Sequence, residues 1–203
     1  MSIKTHKPQR LLKKISKEAE HIKDNHTAKY SRFNFYCMDE SRFGLLTLSH
    51  KALTIKGVKP ISTCQHRFET TYLFGAFSPI NGAHLLLEMP YCNSNAFQAF
   101  LDEFSLLDKD EFKIMIVDNG AFHKARSLEI PPNIALVFLP PYSPELNPAE
   151  KVWWMIKREL KNKLYKTMDD LQKAIDEAIQ KTIRTDTIKK LCGYAYYTSI
   201  NLD

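Results

Sequence analysis

The chain has 203 residues, of which 44% are hydrophobic and 26% are charged, and its formal net charge is +6 at pH 7. This length suits one domain with a sizeable core and argues against two independent domains. No apolar run approaches the ~20 residues that a membrane-spanning helix needs, and the basic start lacks the hydrophobic stretch of a signal peptide. We therefore expect a cytoplasmic protein.

The cysteines and the distribution of charge narrow the class further. The four cysteines are far apart and include no CxxC pair, which indicates reduced, buried thiols rather than a disulfide framework or a structural zinc site. Residues 1–30 carry a net charge of +5 and residues 151–166 another +5, whereas the rest of the chain sums to −4. Two basic segments around an acidic centre are typical of a protein that holds a polyanion beside divalent cations. The alternative for the first segment is a solvated tail.

Residues 1–30 are predicted to be a basic N-terminal arm with a linker helix, and residues 31–203 the folded domain. Residues 1–10 lack a periodic apolar pattern and are expected to be extended. Residues 11–22 can form a helix that links to another module or lies along DNA. The apolar side of this helix consists of Leu11, Leu12, Ile15, Ala19 and Ile22.

Two acids each close a short apolar run that predicts a buried strand. Residues 33–38 end at Asp39, and residues 113–117 end at Asp118. The carboxyl end of a strand is where α/β sheets place ligands. The alternative is that each aspartate merely begins a turn, which the Asn-Gly pair after Asp118 favours locally.

The segment between these acids predicts a hairpin and a helix. Residues 45–55 contain short apolar pieces, followed by a turn at residues 57–60. Two strands, 70–77 and 83–89, flank a turn sequence, and with the strand before Asp39 they predict three antiparallel strands. Asn93 or Ser94 can cap the helix that follows. Its core-facing residues are Phe97, Phe100, Leu101 and Phe104.

The stretch Leu139–Leu160 predicts a stiff loop that leads into a helix. A helical turn near residues 122–127 and a last strand at residues 134–139 precede it. Four prolines keep residues 140–147 out of regular structure, so the helix begins with Asn147 as N-cap and Pro148 as first residue. Glu150 then lies in the first turn. The alternative for Glu150 is a capping box with Asn147, in which the glutamate only satisfies a backbone N–H.

This helix presents two distinct stripes. Its predicted apolar face consists of Ala149, Val152, Trp153, Ile156 and Leu160. The neighbouring stripe consists of Glu150, Trp154, Lys157 and Lys161. Such a stripe fits a solvated face, and it equally fits a metal-binding acid with phosphate contacts beyond it. After it, Thr167 caps a final amphipathic helix that ends near Ile183, and the tail from Leu191 onward receives no assignment.

The combination of these motifs resembles the mariner superfamily of transposases, and more closely its bacterial insertion-sequence branch. The resemblance rests on Asp39-Glu40, on Asp118-Asn119-Gly120 with His123-Lys124, and on PPYSPELNPAE, and it covers residues 33–183. The chain departs from the family at Glu145, where Asp is frequent, and at Ala149, where a larger apolar residue is usual. The spacing between Asp118 and Glu150 is also slightly short. None of these departures touches a proposed ligand.

The resemblance implies an α/β, ribonuclease-H-like catalytic domain over residues 31–203. Its mixed sheet has three antiparallel strands followed by two parallel strands, is flanked by helices and is related to that of retroviral integrases. The resemblance also implies that Asp39, Asp118 and Glu150 are the catalytic residues and hold two Mg²⁺ or Mn²⁺ ions, with Asp39 bridging them. Three adjacent carboxylates repel one another unless cations neutralise them, and Mg²⁺ prefers oxygen ligands.

The implied activity is metal-dependent cleavage of phosphodiesters at transposon ends and strand transfer into target DNA. Its alternatives are a ribonuclease-H-like nuclease without strand transfer and an inactive DNA-binding remnant. Expected DNA contacts are His123, Lys124, Trp154, Lys157 and Lys161. For His123, a role in supporting a neighbouring site residue stands beside the DNA contact, and the alternative to both is a structural role. For Trp154 the alternative is packing.

The expected partners are double-stranded DNA, both transposon ends and target, and a second copy of the chain as a homodimer on that DNA. About 30 residues before the catalytic domain cannot hold the helix-turn-helix region of such relatives. A separate helix-turn-helix chain supplies it, or this copy is truncated. The expected location is the nucleoid.

Overall fold

The computed structural model describes residues 6–45, 56, 67–141, 143–198 and 200 of the chain. Its strands are β1 Arg32–Gly44, β2 Thr70–Phe77, β3 His84–Met89, β4 Glu111–Val117 and β5 Ile134–Phe138. Its helices are α1 His6–His26, α2 Ser94–Leu106, α3 Ala149–Leu160, α4 Met168–Thr182, α5 Thr185–Cys192 and α6 Ala195–Thr198. Short 3-10 turns lie at Ala121–Lys124 and Pro144–Leu146. The apolar pieces predicted within residues 46–55 and the turn at 57–60 lie outside the described residues.

The five strands form one mixed sheet in the order β3-β2-β1-β4-β5. Strands β1, β2 and β3 pair antiparallel, whereas β4 pairs parallel to β1 and β5 parallel to β4. The predicted fold, three antiparallel strands followed by two parallel ones with helices on the faces, is confirmed. The strands that carry Asp39 and Asp118 lie side by side, as the resemblance implied.

Strand β1 is longer than the sequence predicted, because it does not end at Asp39. It continues to Gly44, and its antiparallel pairing with β2 runs from Cys37 opposite Phe77 to Gly44 opposite Thr70. Alternation explains the extension, since Ser41 and Phe43 are buried beyond the acid. The placement of Asp39 at a strand's carboxyl end was therefore wrong. Only the parallel pairing of β1 with β4 ends near Asp39, and its last pair is Cys37 with Ile116.

The sheet separates two apolar layers. Alternate residues of β1, such as Phe35 and Cys37, face a layer covered by α1, α3, α4, α5 and α6. The intervening residues Tyr36 and Met38 face α2, whose four predicted core residues are all buried. Asn93 caps α2 by accepting a hydrogen bond from the Ala96 N–H. The continuation of this alternation sends neighbouring residues Asp39 and Glu40 to opposite faces of the sheet.

The N-terminal helix begins earlier than predicted and packs on the domain. Helix α1 starts at His6, so the extended conformation expected for residues 1–10 was wrong for residues 6–10. Ile15 is 3% exposed and Ala19 is fully buried, and both belong to the core layer. The helix contacts β4, β5 and α6. This basic segment is therefore docked by its apolar side, while Lys13, Lys14 and Lys17 are exposed.

The C-terminal region contains two helices that the sequence did not predict. Helix α4 has the expected Thr167 cap, completed by Asp170 as a capping box. Helices α5 and α6 follow it, and Ile188, Cys192 and Tyr197 join the core. Among the described helices, none combines the length and the hydropathy that a membrane crossing requires.

Candidate functional site

Strands β1 and β4 bring two of the predicted acids together. The parallel register pairs Cys37 with Ile116, and the same offset two residues further along places Asp39 beside Asp118. Strand β4 ends at Val117, so Asp118 is the first residue beyond it and its side chain is 57% exposed. Asp39 is only partly exposed, because α3 packs against that face of β1.

Asn147 ties the start of α3 to β1 and so brings the third acid to the same place. Its Nδ2 donates to the backbone oxygen of Met38 over 2.7 Å, and its Oδ1 accepts from the Ala149 N–H over 3.2 Å. Helix α3 begins at Ala149, one residue later than predicted, and Glu150 lies exposed in its first turn. Its carboxylate accepts no hydrogen bond from any residue that the structure describes, so the capping-box alternative finds no support there.

The three acids line one cleft. Its volume is about 470 Å³, and its wall combines strand ends, the proline-rich loop and the start of α3. The lining residues are Asp39, Asp118, Asn119, Gly120, Leu139, Pro140, Pro141, Ser143, Asn147 and Glu150. Glu145, the nearest rival acid in sequence, is exposed on the loop and is not part of this lining.

The environment of Asp39 disfavours its charge. Burial raises the pKa of Asp39 to about 7, and the negative charges of Glu40 and Glu150 add to the effect. A hydrogen bond that Trp153 Nε1 donates to Asp39 Oδ2 over 2.9 Å opposes the shift without cancelling it. In the absence of a cation, this carboxylate is therefore partly protonated near neutral pH.

Gly75 makes room for the tryptophan that holds Asp39. It lies opposite Asp39 on β2. A Cβ at this position would lie 2.7 Å from Trp153 Cη2 and 2.6 Å from Phe77 Cζ, closer than carbon atoms can approach. The Phe77 and Trp153 rings meet edge to face with centroids 5.5 Å apart. A side chain at position 75 would displace one of these rings.

His123 joins Asp118 to a further acid. Its Nδ1 lies 2.8 Å from Asp118 Oδ1 and its Nε2 lies 2.8 Å from Glu40 Oε1. Burial by itself would lower the pKa of His123, but the hydrogen bonds and charges of Glu40 and Asp118 outweigh it, so the pKa is raised. The ring is only 1% exposed. A direct DNA contact would need an exposed ring, whereas both nitrogens of this ring face carboxylates of the protein.

The other residues predicted to contact DNA lie nearer the surface. Trp154 is 64% exposed, and the Arg158 guanidinium lies 5.2 Å from its ring centre. Lys157 is half-buried over the Phe43 ring, and burial lowers its pKa. Trp154 and Lys157 share a second cleft with Asp39 and Glu150.

The other two lysines, Lys124 and Lys161, line neither cleft. Lys161 is half-buried and immediately follows α3. Lys124 is exposed, donates to Asn119 Oδ1 and lies over the Phe138 ring.

The donor set fits a hard divalent cation, which prefers carboxylate oxygens. Asp118 Oδ2 and both Glu150 oxygens make no hydrogen bond to any residue in the described part of the chain. In the same part of the chain, no three His, Cys, Asp or Glu side chains are already spaced to hold an ion. Asp118 and Glu150 are both exposed, so their side chains are free to turn toward a cation in the cleft.

Sequence reasoning missed three residues of the site. Glu40 belongs to the Asp39-Glu40 motif but was assigned no role. Because it follows Asp39 on a strand, its side chain is expected on the opposite face of the sheet. Trp153 was correctly predicted to be in the core, and only its Nε1 gives it a second function. The side-chain bond from Asn147 to β1 has no local signal, since its partner lies 109 residues away.

The mixed sheet, with acids at the junction of β1, β4 and α3, defines a ribonuclease-H-like catalytic domain. The DDE superfamily endonuclease family matches residues 34–172, and the chain belongs to that family. The Sinorhizobium fredii (strain NBRC 101917 / NGR234) uncharacterized protein y4pE/y4sA is 40% identical over 102 residues, 49% of this chain and 76% of that protein.

Solved mariner transposases share the fold. The Mos1 transposase paired-end complex with the left transposon end has a TM-score of 0.57 at 17% identity and covers 95% of this chain. The Mos1 paired-end complex with Mn has the same TM-score at 18% identity and covers 93%. In both comparisons this chain spans 60% of the Mos1 chain. The Mos1 catalytic domain with raltegravir and Mg matches over 93% of this chain and 92% of that domain, with a TM-score of 0.50 and 15% identity.

Proposed function

We propose that this chain is the catalytic domain of a transposase that cuts DNA at the ends of its element and joins those ends to target DNA, using Mg²⁺ or Mn²⁺. The observation that carries the proposal is the placement of Asp39, Asp118 and Glu150 around one cleft by three separate elements. Such a convergence of acids has a cost, because their charges repel. Burial is the largest cause of the raised pKa of Asp39, and the charges of Glu40 and Glu150 add to it.

The three acids of the cleft would have different roles. Asp39, held by Trp153, would bridge two ions, with Asp118 binding one and Glu150 the other. When bound, two such ions activate a water or a 3′-hydroxyl and stabilise the leaving oxygen of the phosphodiester. The loop of prolines and the anchored Asn147 fix the direction from which Glu150 reaches the cleft.

The DNA would lie across the second cleft and along the basic segments. Lys124, Lys157 and Lys161 would contact phosphates, and Trp154, which is exposed, would stack on an unpaired base. We propose that His123, which is buried, acts through its contact with Asp118 and does not touch the DNA itself. Double-stranded DNA as partner and a homodimer on that DNA complete the proposal. The first Mos1 complex named above contains the left transposon end, which supports the DNA partner.

The test is a cleavage and strand-transfer assay with the element's terminal repeats, identified from the DNA that flanks the gene. We expect cleavage at the repeat ends with Mg²⁺ or Mn²⁺, none in EDTA, and joining of the freed 3′ ends to a target plasmid. Cleavage without joining would support the nuclease alternative instead. DNA binding without cleavage under any divalent metal would support the inactive remnant and overturn the proposal.

A further inference from the structure

His123 is a buried imidazole whose two nitrogens both face carboxylate oxygens. Nδ1 is 2.8 Å from Asp118 Oδ1, and Nε2 is 2.8 Å from Glu40 Oε1. A protonated imidazole donates from both nitrogens, whereas a neutral one donates from only one of them. The Glu40 side chain is 9% exposed and lies on the face of β1 opposite to Asp39. The chain Glu40–His123–Asp118 thus runs from the interior of the α2 layer to the cleft.

The two oxygens of Asp118 are not equivalent. Oδ1 accepts from His123 Nδ1 and also from the Gly120 N–H over 2.7 Å. Oδ2 accepts nothing from the described residues, and the side chain is 57% exposed on the cleft. One oxygen is therefore committed to the protein, and the other is left for a ligand in the cleft.

Phe97, Phe122 and Gly120 surround the contact between the His123 ring and Asp118. The centroids of Phe97 and Phe122 lie 4.5 Å and 4.1 Å from that of the imidazole. A Cβ at Gly120 would lie 3.0 Å from Asp118 Oδ1 and 3.2 Å from His123 Nδ1, so a side chain there would crowd the hydrogen bond. The glycine thus allows the turn to close around that bond.

We propose that Glu40 and His123 are positioning residues that hold Asp118 as a one-oxygen ligand, with Oδ1 fixed by the protein and Oδ2 directed at the divalent cation. This inference rests on the proposed function. Neither residue touches the DNA or the ion; both act through Asp118. Hydrogen-bond partners of metal ligands typically change metal affinity by about 10- to 100-fold when they are removed.

A matched pair of substitutions distinguishes the contact of His123 with Asp118 from its contact with Glu40. An asparagine amide reaches about as far as Nδ1, so His123→Asn keeps a donor near Asp118. A glutamine amide reaches about as far as Nε2, so His123→Gln keeps a donor near Glu40 and loses the one to Asp118. Glu145→Gln removes a nearby acid outside the cleft and serves as the charge control.

The primary readout is Mn²⁺ affinity of the metal-free protein, measured by calorimetric titration, with melting in EDTA as the check on folding. We expect His123→Gln to weaken Mn²⁺ binding by about 10- to 100-fold and to raise the Mn²⁺ concentration for half-maximal cleavage by the same factor. His123→Asn should recover most of that loss. Glu145→Gln should match the wild type.

A folded His123→Gln protein with wild-type Mn²⁺ affinity would overturn the inference while leaving the proposed function intact. So would an equal loss in His123→Asn and His123→Gln. If His123→Gln does not fold, Glu40→Gln decides, since it keeps shape and an accepting oxygen but weakens the bond that orients the ring. We expect it to weaken Mn²⁺ binding several-fold, and an unchanged affinity would overturn the inference. A wild-type protein that binds no Mn²⁺ and cuts no DNA would overturn both proposals.

Discussion

At the scale of single residues, the acids of the cleft differ in surroundings, although sequence alone treats them alike. Asp39 is partly buried and takes a hydrogen bond from an indole, Asp118 has one committed oxygen, and Glu150 is free in the described part of the chain. A side chain that is held in place loses less freedom when it binds an ion. In the proposed metal site, Asp39 and Asp118 are therefore preorganised, and Glu150 would have to move.

Neutralising any of the three acids should abolish metal-dependent cleavage. We expect Asp39→Asn, Asp118→Asn and Glu150→Gln each to lower the cleavage rate at least about 1,000-fold, because each removes a charge on which transition-state stabilisation depends. Glu145→Gln should cleave at the wild-type rate, since Glu145 lies outside the cleft. The rates are measured on terminal-repeat DNA. Loss of cleavage in Glu145→Gln with retention in Glu150→Gln would show that the third ligand is misassigned.

Asp39 should also make metal-free stability depend on pH. Its folded pKa of about 7 lies above the unfolded value of 3.8, so the folded state binds more protons between these values. Stability therefore falls as pH rises from about 4 to 7, and the full penalty remains above pH 7. In EDTA at pH 8, Asp39→Asn should melt on the order of 5 °C higher than the wild type.

Near pH 4.5 this gain should nearly vanish, because Asp39 of the folded wild type is then protonated. Glu145→Gln provides the exposed-acid control at both pH values. The measurement is a melting curve in EDTA for each protein. An Asp39→Asn protein that melts below the wild type at pH 8, or that keeps the same gain near pH 4.5, would contradict the expected pH dependence.

At the scale of elements, β1 serves both faces of the sheet at once. Its parallel partner β4 stops at Val117 while β1 continues to Gly44 along β2. Asp39 and Glu40 therefore lie on the part of β1 that extends beyond β4. The Asp39 side chain faces α3, and the Glu40 side chain faces the α2 layer. Long-range packing, rather than local propensity, fixes both side chains.

The contact between β2 and α3 should be sensitive to a single added carbon at Gly75. Gly75→Ala would place a Cβ within 2.7 Å of the Trp153 ring, and relief of that clash would move the indole away from Asp39. We expect a loss of about 1–3 kcal/mol in stability, typical of overpacking, and a clear loss of cleavage. Trp153→Phe removes the hydrogen bond with less change in packing. Trp153→Phe should lower the cleavage rate and change the melting temperature less than Gly75→Ala does. Trp154→Phe is the control and should leave the melting temperature unaltered.

At the scale of the whole molecule, sequence patterns predicted the order of elements better than their extents. Alternation, proline placement and capping residues are local signals, and they located the hairpin, α2, β4 and α3. Strand β1 runs past Asp39 because pairing with β2 outweighs the polar composition of its second half. Helix α5 was missed because an eight-residue helix gives a weak periodic signal. The Glu40–His123 bond was unpredictable because 83 residues separate the partners.

The basic surfaces should give this chain DNA affinity that depends on salt rather than on sequence. We expect helix α1 and the region after Glu150 to supply phosphate contacts, whereas readout of bases needs side chains that reach a groove. If about five phosphates are neutralised, log K should fall with log salt at a slope of roughly −4 to −5 for duplex DNA. The measurement is a salt titration with the terminal repeat and with a scrambled duplex of equal length. A preference for the repeat beyond about 100-fold at physiological salt would contradict this expectation.

The docking of α1 dictates which variants can test the basic surfaces. Deletion of the helix would uncover Phe112, on which His26 stacks, so exposed lysines are the better target. Replacing Lys13, Lys14 and Lys17 with Ala should weaken binding to both duplexes alike and flatten the salt slope by about 2 to 3.

The double variant Lys157→Ala with Lys161→Ala should flatten the slope by about 1 to 2 and also impair cleavage, because Lys157 lies beside Glu150 in the second cleft. Lys109→Ala, an exposed lysine before β4 at the opposite end of the strand from the acids, is the control and should change neither quantity. If the double variant kept the wild-type slope and cleavage rate while Lys109→Ala lost both, DNA would have to cross the other end of the sheet.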